Sequence, residues 1–187
     1  AVVAKQPGNV QAQRLLAEVR AKVGTPQQSL QGLRAALDEG DADPLLLATA
    51  SRLSMASGDR QQALDYLAQA AQSSQDQRPD AQLEIAGGYL MAGDLDGAIK
   101  LLEDMPAGGS TGYQRDSLLL AALLRKGDTE RAVAEANALV ERSPDDPVAR
   151  NLAAAVFNAA GKQDAARSQL AEALKLKPND PATLTNL

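Results

Sequence analysis

Arg14, Arg52 and Arg125 are the side chains whose chemistry suits recognition of another molecule, since a guanidinium presents a fixed fork of donors to a carboxylate. Each of them also reads as an ordinary solvated arginine. Few other residues offer reactive chemistry. The 187 residues include no Cys and no His, which removes thiol nucleophiles, disulfides, imidazole bases and the usual zinc ligands together. With 24 Asp and Glu, neighbouring carboxylates distinguish nothing, and none stands out as buried on an apolar face. The acidic turn Asp38, Glu39, Asp41 and Asp43 lacks the glycine and the closing glutamate of a calcium loop, so it reads as solvated, with Asp43 as a helix cap. Pro106-Ala107-Gly108-Gly109-Ser110-Thr111-Gly112 has neither the lysine nor the preceding strand of a phosphate loop. It reads as a connecting loop and hinge where a helix stops early at Met105. No metal, no cofactor and no catalytic residue is expected, and the chain is read as a non-enzyme.

The bulk numbers narrow the partners. A net charge of −5 and a pI near 4.8 argue against nucleic acid or an anionic membrane surface. No apolar run approaches the ~20 residues needed to cross a bilayer, so this segment is not expected to insert in a membrane. Aromatic residues are 2% of the chain: Phe157, Tyr66, Tyr89 and Tyr113. Alanine and leucine carry the apolar content, which suits closely packed helices and not strands.

The elements that must hold those arginines follow from an internal period. Gly24, Gly58, Gly93, Gly127 and Gly161 are spaced 34, 35, 34 and 34 apart. A small residue follows each by five positions: Ser29, Ala63, Ala98, Ala132 and Ala166. In the last full unit Asp146 precedes Pro147, a cap followed by the residue best tolerated in a first helical turn. Leu152, Val156 and Phe157 continue that helix, and Gly161 ends it where a left-handed residue is cheap. A second helix over about 164–177 places Ala166, Leu170, Ala173 and Leu174 on one face, and Pro178 follows. Asp43-Pro44 and Asp180-Pro181 repeat the starting device, while Asp59, Asp94 and Asp128 cap second helices. Each unit is thus an antiparallel helix pair that buries its apolar face only by stacking on its neighbours.

This pattern resembles the tetratricopeptide (TPR) repeat. Ala154, Phe157, Gly161, Ala166, Leu170, Ala173 and Pro178 match the family motif in the fifth unit. Ala86, Tyr89, Gly93, Ala98 and Leu102 match it in the third, and Ser51, Gly58, Ala63, Leu67 and Ala70 in the second. The first and fourth units depart from it, with Arg20 and Leu123 where the motif has an aromatic. The resemblance implies an all-α fold, an α-solenoid in which TPR hairpins form a right-handed superhelix. The units run 10–43, 44–78, 79–112, 113–146 and 147–180. Residues 1–9 read as the tail of a preceding repeat and 181–187 as the start of a following one. The expectation is therefore a piece of a longer array, with stacking faces at each end open to end-to-end self-association.

In the family the first helix of each pair lines a concave groove. Carried over, the wall comprises Gln11, Arg14, Glu18, Ala21 and Lys22; Leu45, Ala48, Arg52, Met55 and Ala56; Asp80, Leu83, Gly87, Leu90 and Met91; then Gln114, Ser117, Ala121, Leu124 and Arg125; and Val148, Asn151, Ala155, Asn158 and Ala159. Leu45, Met55, Leu83, Leu90, Met91 and Leu124 make its middle apolar, with Arg14, Arg52 and Arg125 framing it. Two readings stand: a channel for a partner helix or extended peptide, or side chains packed between repeats. The carboxylate clamp of chaperone-type TPRs is rejected, because Glu18, Thr49, Asp80 and Glu84 stand where it needs amides and cations. The function expected is a protein-interaction scaffold; the alternative is a structural spacer with an empty groove. The segments 9–18 and 118–128 also resemble the TPR-repeat lipoproteins of bacterial PEP-CTERM/exosortase systems (the PrsT type). That resemblance implies a periplasmic or membrane-anchored parent serving surface-protein sorting or exopolysaccharide secretion; without it the expectation is cytoplasmic.

Overall fold

Aspartate or proline starts most of the described helices, and glycine lies at the end of the first helix of each hairpin. The computed structural model describes residues 9–37, 43–73, 78–108 and 111–186. Among these residues six helices precede residue 106: α1 (Val10–Val23), α2 (Pro26–Leu37), α3 (Pro44–Ala56), α4 (Arg60–Ser73), α5 (Pro79–Ala92) and α6 (Leu95–Asp104). Five follow: α7 (Gly112–Lys126), α8 (Thr129–Arg142), α9 (Pro147–Ala159), α10 (Gln163–Leu176) and α11 (Pro181–Thr185). Among the described residues there is no strand. The expected acidic turn at 38–42, most of the expected leading tail, and Gly109 and Ser110 of the glycine-rich loop lie outside the described residues.

The caps are made by the aspartates that the spacing picks out. Asp43 accepts from the Leu45 N–H at 2.8 Å, Asp59 from Gln62 at 2.9 Å and Asp94 from Gly97 at 3.0 Å. Asp128 accepts from Arg131 at 3.3 Å, Asp146 from Val148 at 2.7 Å and Asp180 from Thr183 at 3.0 Å. Each satisfies a backbone donor with no partner inside the helix and stabilises its helix by about 1 kcal/mol. At the other ends Gly58, Gly93, Gly127 and Gly161 have φ of 83°, 76°, 82° and 72°. The residue after each donates to a carbonyl five positions back, as Asp94 does to Tyr89 at 2.9 Å, which ties off the last turn. Gly24 departs from the series: its φ is −128°. There Thr25 caps α2 through Gln28 at 3.2 Å and Pro26 begins the helix at once, so the turn is built differently.

The small residues sit where helices come closest. Ser29, Ala63, Ala98, Ala132 and Ala166 are all fully buried, 0% exposed, which explains their strict spacing. Leu67, Leu102 and Leu170, one turn further on, are buried beside them. The chain divides into two compact units, residues 1–105 and 106–187. In the first, each helix packs on the next from α1 to α6, and first helices also touch, α1 on α3 and α3 on α5. In the second, α7 packs on α8, α8 on α9, α9 on α10 and α10 on α11, while α7 also touches α9. Within each unit the hairpins therefore stack in sequence order, as in an α-solenoid. The helix α6 has 10 residues against 14 for α4, α8 and α10, and stops at Met105, whose side chain is buried.

Candidate functional site

In the first unit α1, α3 and α5 lie side by side, and a polar cluster crosses all three. The Arg14 guanidinium donates from Nη2 to both carboxylate oxygens of Glu84 at 2.6 Å. Its Nε donates to Thr49 Oγ1 at 3.0 Å, and that hydroxyl donates to the Leu45 carbonyl at 2.9 Å. The Arg14 and Glu84 side chains are 15% and 30% exposed, so solvent screens this pair only partly. Glu84 thus fills the guanidinium that a ligand carboxylate would need. One turn along, Arg52 Nη2 meets Glu18 Oε1 at 2.7 Å in a pair open to water. An exposed pair of this kind stabilises by at most about 1 kcal/mol.

The apolar residues assigned to the same face separate by burial. Leu45 and Leu90 are buried and belong to the packing between helices. Met55 and Leu83 are half-buried, and Met91 is 66% exposed. In the second unit Leu124 is half-buried and Arg125 exposed, both near the end of α7. In the first unit Arg14, Arg52, Met55, Leu83 and Met91 keep some surface on α1, α3 and α5.

The second unit holds charges of another kind. Arg115 and Asp116, both buried, pair at 2.7 Å, and Arg142 of α8 reaches the other oxygen of Asp116 at 3.1 Å. Tyr113 donates to Asp146 Oδ2 at 2.5 Å, while Asp146 Oδ1 caps α9. Burial, and then this bond to a carboxylate, push the Tyr113 phenol above its ordinary value. A hollow of about 420 Å³ lies between Gly108, Gly112, Tyr113, Asp116, Leu139 and Arg142. The sequence expectation that no carboxylate stands out as buried is corrected by Asp116. It lies four and seven positions before Leu120 and Leu123 on α7, both buried, and that spacing is the signal that marks it. At the end of the second unit, bonds from Lys177 and Thr183 hold the Asp180 carboxyl down at about 2.

Among the described residues no group of three or more acids is arranged to hold a metal ion, and no helix is long and apolar enough to cross a membrane. Helix hairpins stacked in order, with small residues at each close contact, define an all-α helical-repeat protein. Sequence profiles of the tetratricopeptide repeat match residues 54–110 and 119–181, well over half of the chain taken together, and the chain belongs to the TPR family. No curated protein matches it closely enough to count as a relative. Solved structures share the fold. A Podospora anserina putative kinesin light chain with nearly identical TPR-like repeats has a TM-score of 0.65 at 18% identity, covering 92% of this chain and 96% of that one. YrrB, described as a TPR protein with an unusual peptide-binding site, has a TM-score of 0.58 at 14% identity, covering 98% and 94%. MamA from Desulfovibrio magneticus RS-1 has a TM-score of 0.59 at 15% identity, covering 92% and 98%. At such identities the likeness is one of fold.

Proposed function

We propose that the chain is a protein-interaction scaffold whose face of first helices takes a partner peptide or helix. One observation carries this: Met91 is 66% exposed near the C-terminal end of α5 on that face, with Leu83 half-buried about two turns before it on the same helix. A long apolar side chain left in water on a helix that has buried neighbours on its other faces marks a contact surface, and methionine adapts to varied partners. The peptide-binding site in the description of YrrB supports the same use of a TPR fold. The resemblance of segments 9–18 and 118–128 to PEP-CTERM lipoproteins favours a partner in surface-protein sorting or exopolysaccharide secretion. End-to-end association of arrays belongs to the alternative reading, a spacer with an empty groove.

Leu83→Glu and Met91→Glu test the choice. Partners retained by the wild-type chain are identified, purified and titrated against each variant, with helicity followed by circular dichroism. Loss of the partner with helicity kept is the expected result. Retained binding by both variants overturns the groove reading and leaves the spacer.

A further inference from the structure

Tyr89 is a buried tyrosine, 8% exposed, whose hydroxyl has no hydrogen-bonding partner among the described residues. A buried phenol ordinarily finds one. The oxygen is not sealed off: it keeps accessible surface, and Tyr89 lines a hollow of about 420 Å³. Burial, and then the charge of Asp94, raise this phenol above its ordinary value, so at neutral pH it keeps its proton and can donate it. Gly97 leaves the ring its room, since a Cβ there would lie 3.1 Å from Tyr89 Cδ1.

The hollow lies among helices of the first unit alone, with Gln72 of α4, Gln82 and Tyr89 of α5, and Lys100, Leu101 and Asp104 of α6 in its walls. At about 100° per residue, Gln82 and Tyr89 stand about 150° round α5 from Leu83 and Met91, so this is not the face of first helices.

The walls describe the occupant. Of the lining residues only Lys100 and Asp104 are charged; their signs are opposite, and neither joins an ion pair among the described residues. The hollow therefore favours a ligand without net charge. A water takes about 30 Å³ of liquid volume, so a single one does not fill the space. The two glutamines and the phenol supply donors and acceptors together. A carboxamide sets a C=O beside an N–H, which is the pair of groups that a peptide bond needs opposite it. Ala71 and Leu101 add apolar surface for the Cα groups of an extended chain. A backbone amide thus suits the walls in its hydrogen bonds and in its neutrality.

We propose that this hollow binds a short extended peptide segment through its main chain, with Tyr89 Oη donating to a backbone carbonyl and Gln72 and Gln82 pairing with neighbouring amides. Such a site tolerates varied side chains, because it reads the backbone. It stands apart from the scaffold reading, since it uses none of the residues on the face of first helices.

Acetyl-Ala-Gly-Ala-Gly-amide, a peptide without charge and almost without side chains, is titrated into the isotopically labelled 187-residue chain, with the amide resonances followed by NMR. Saturable shifts at Gln72, Gln82, Gly97 and Leu101, little changed by salt, are expected. Tyr89→Phe deletes the hydroxyl alone. It weakens binding about three- to tenfold, as loss of one hydrogen bond does, and melts at or above the wild-type temperature, because that hydroxyl had no partner to lose. Gln82→Leu, on a half-buried wall, weakens binding likewise and serves if Tyr89→Phe does not fold. Leu83→Glu and Met91→Glu leave the affinity for this peptide unchanged, which separates the site from the face of first helices. Wild-type affinity in both Tyr89→Phe and Gln82→Leu overturns the proposal, as do shifts centred on Leu83 and Met91 or no shifts at millimolar peptide. Maltose moving the same resonances, with the peptide moving none, overturns it in favour of a sugar site.

Discussion

In the first unit the Arg14–Glu84 ion pair joins residues 70 positions apart on the first and third hairpins. In the second unit the corresponding cluster, Arg115, Asp116 and Arg142, stays within one hairpin, and its longest bond joins residues 26 positions apart. The first lies on the face of first helices, where both partners keep some exposure. The second lies between α7 and α8, with Arg115 and Asp116 only 6% and 5% exposed and Arg142 reaching solvent. The same residue types thus serve different ends. In the first unit they neutralise a surface that keeps some exposure. In the second they fasten two helices together, and burial makes the arrangement costly to break from one side.

Breaking that second cluster should give the largest effect. Asp116→Ala removes the buried carboxylate that Arg115 and Arg142 both meet and should lower stability by about 3–5 kcal/mol in urea unfolding. A loss below about 1 kcal/mol would mean that the buried cluster is no more structural than the open one. Next come substitutions at the helix contacts, where the units should behave alike. Ala98→Leu and Ala132→Leu, each at a fully buried alanine, should each cost about 1–3 kcal/mol by overpacking. Unequal losses would show that the units differ in packing as well as in charge.

Glu84→Gln in the first unit should cost about 1 kcal/mol or less, because the pair is partly solvated and glutamine still accepts from Arg14. A loss as large as that of Asp116→Ala would erase the contrast. The smallest effect is at the end of the second unit. Asp180 has its folded pKa depressed from 3.8 to about 2 by Lys177 and Thr183. A depressed carboxylate contributes stability above its unfolded pKa, and that contribution is lost as pH falls from about 4 toward 2. Asp180→Asn should flatten the pH dependence of thermal unfolding across that window; an unchanged slope would mean that these bonds do not persist in solution.

Much of this was legible in the residues. The repeat boundaries place Thr49 and Glu84 one position beyond the equivalents of Arg14, and the three do meet. What the pattern did not settle was the sign of the meeting. Acidic residues at a groove position read as repulsion toward a ligand, whereas Glu84 is drawn onto Arg14 inside the chain. Leu45, Leu90 and Met91 look alike as apolar groove positions, yet two are buried and one is 66% exposed. The difference depends on how far each helix is turned against the next, and no local rule states that angle.

From the chain alone came the helix starts at Asp–Pro and Gly–Asp steps, the turns at Gly58, Gly93, Gly127 and Gly161, the alanines at the close contacts and the repeat family. These depend on one turn of backbone and its nearest hydrogen bonds, so a few neighbouring residues suffice to specify them. The tertiary structure decided which charges became partners, that Asp116 is buried, and that Gly87 faces open space while Gly88 faces Leu67. Those outcomes depend on surfaces contributed by residues tens of positions apart, which only the stacked helices bring together.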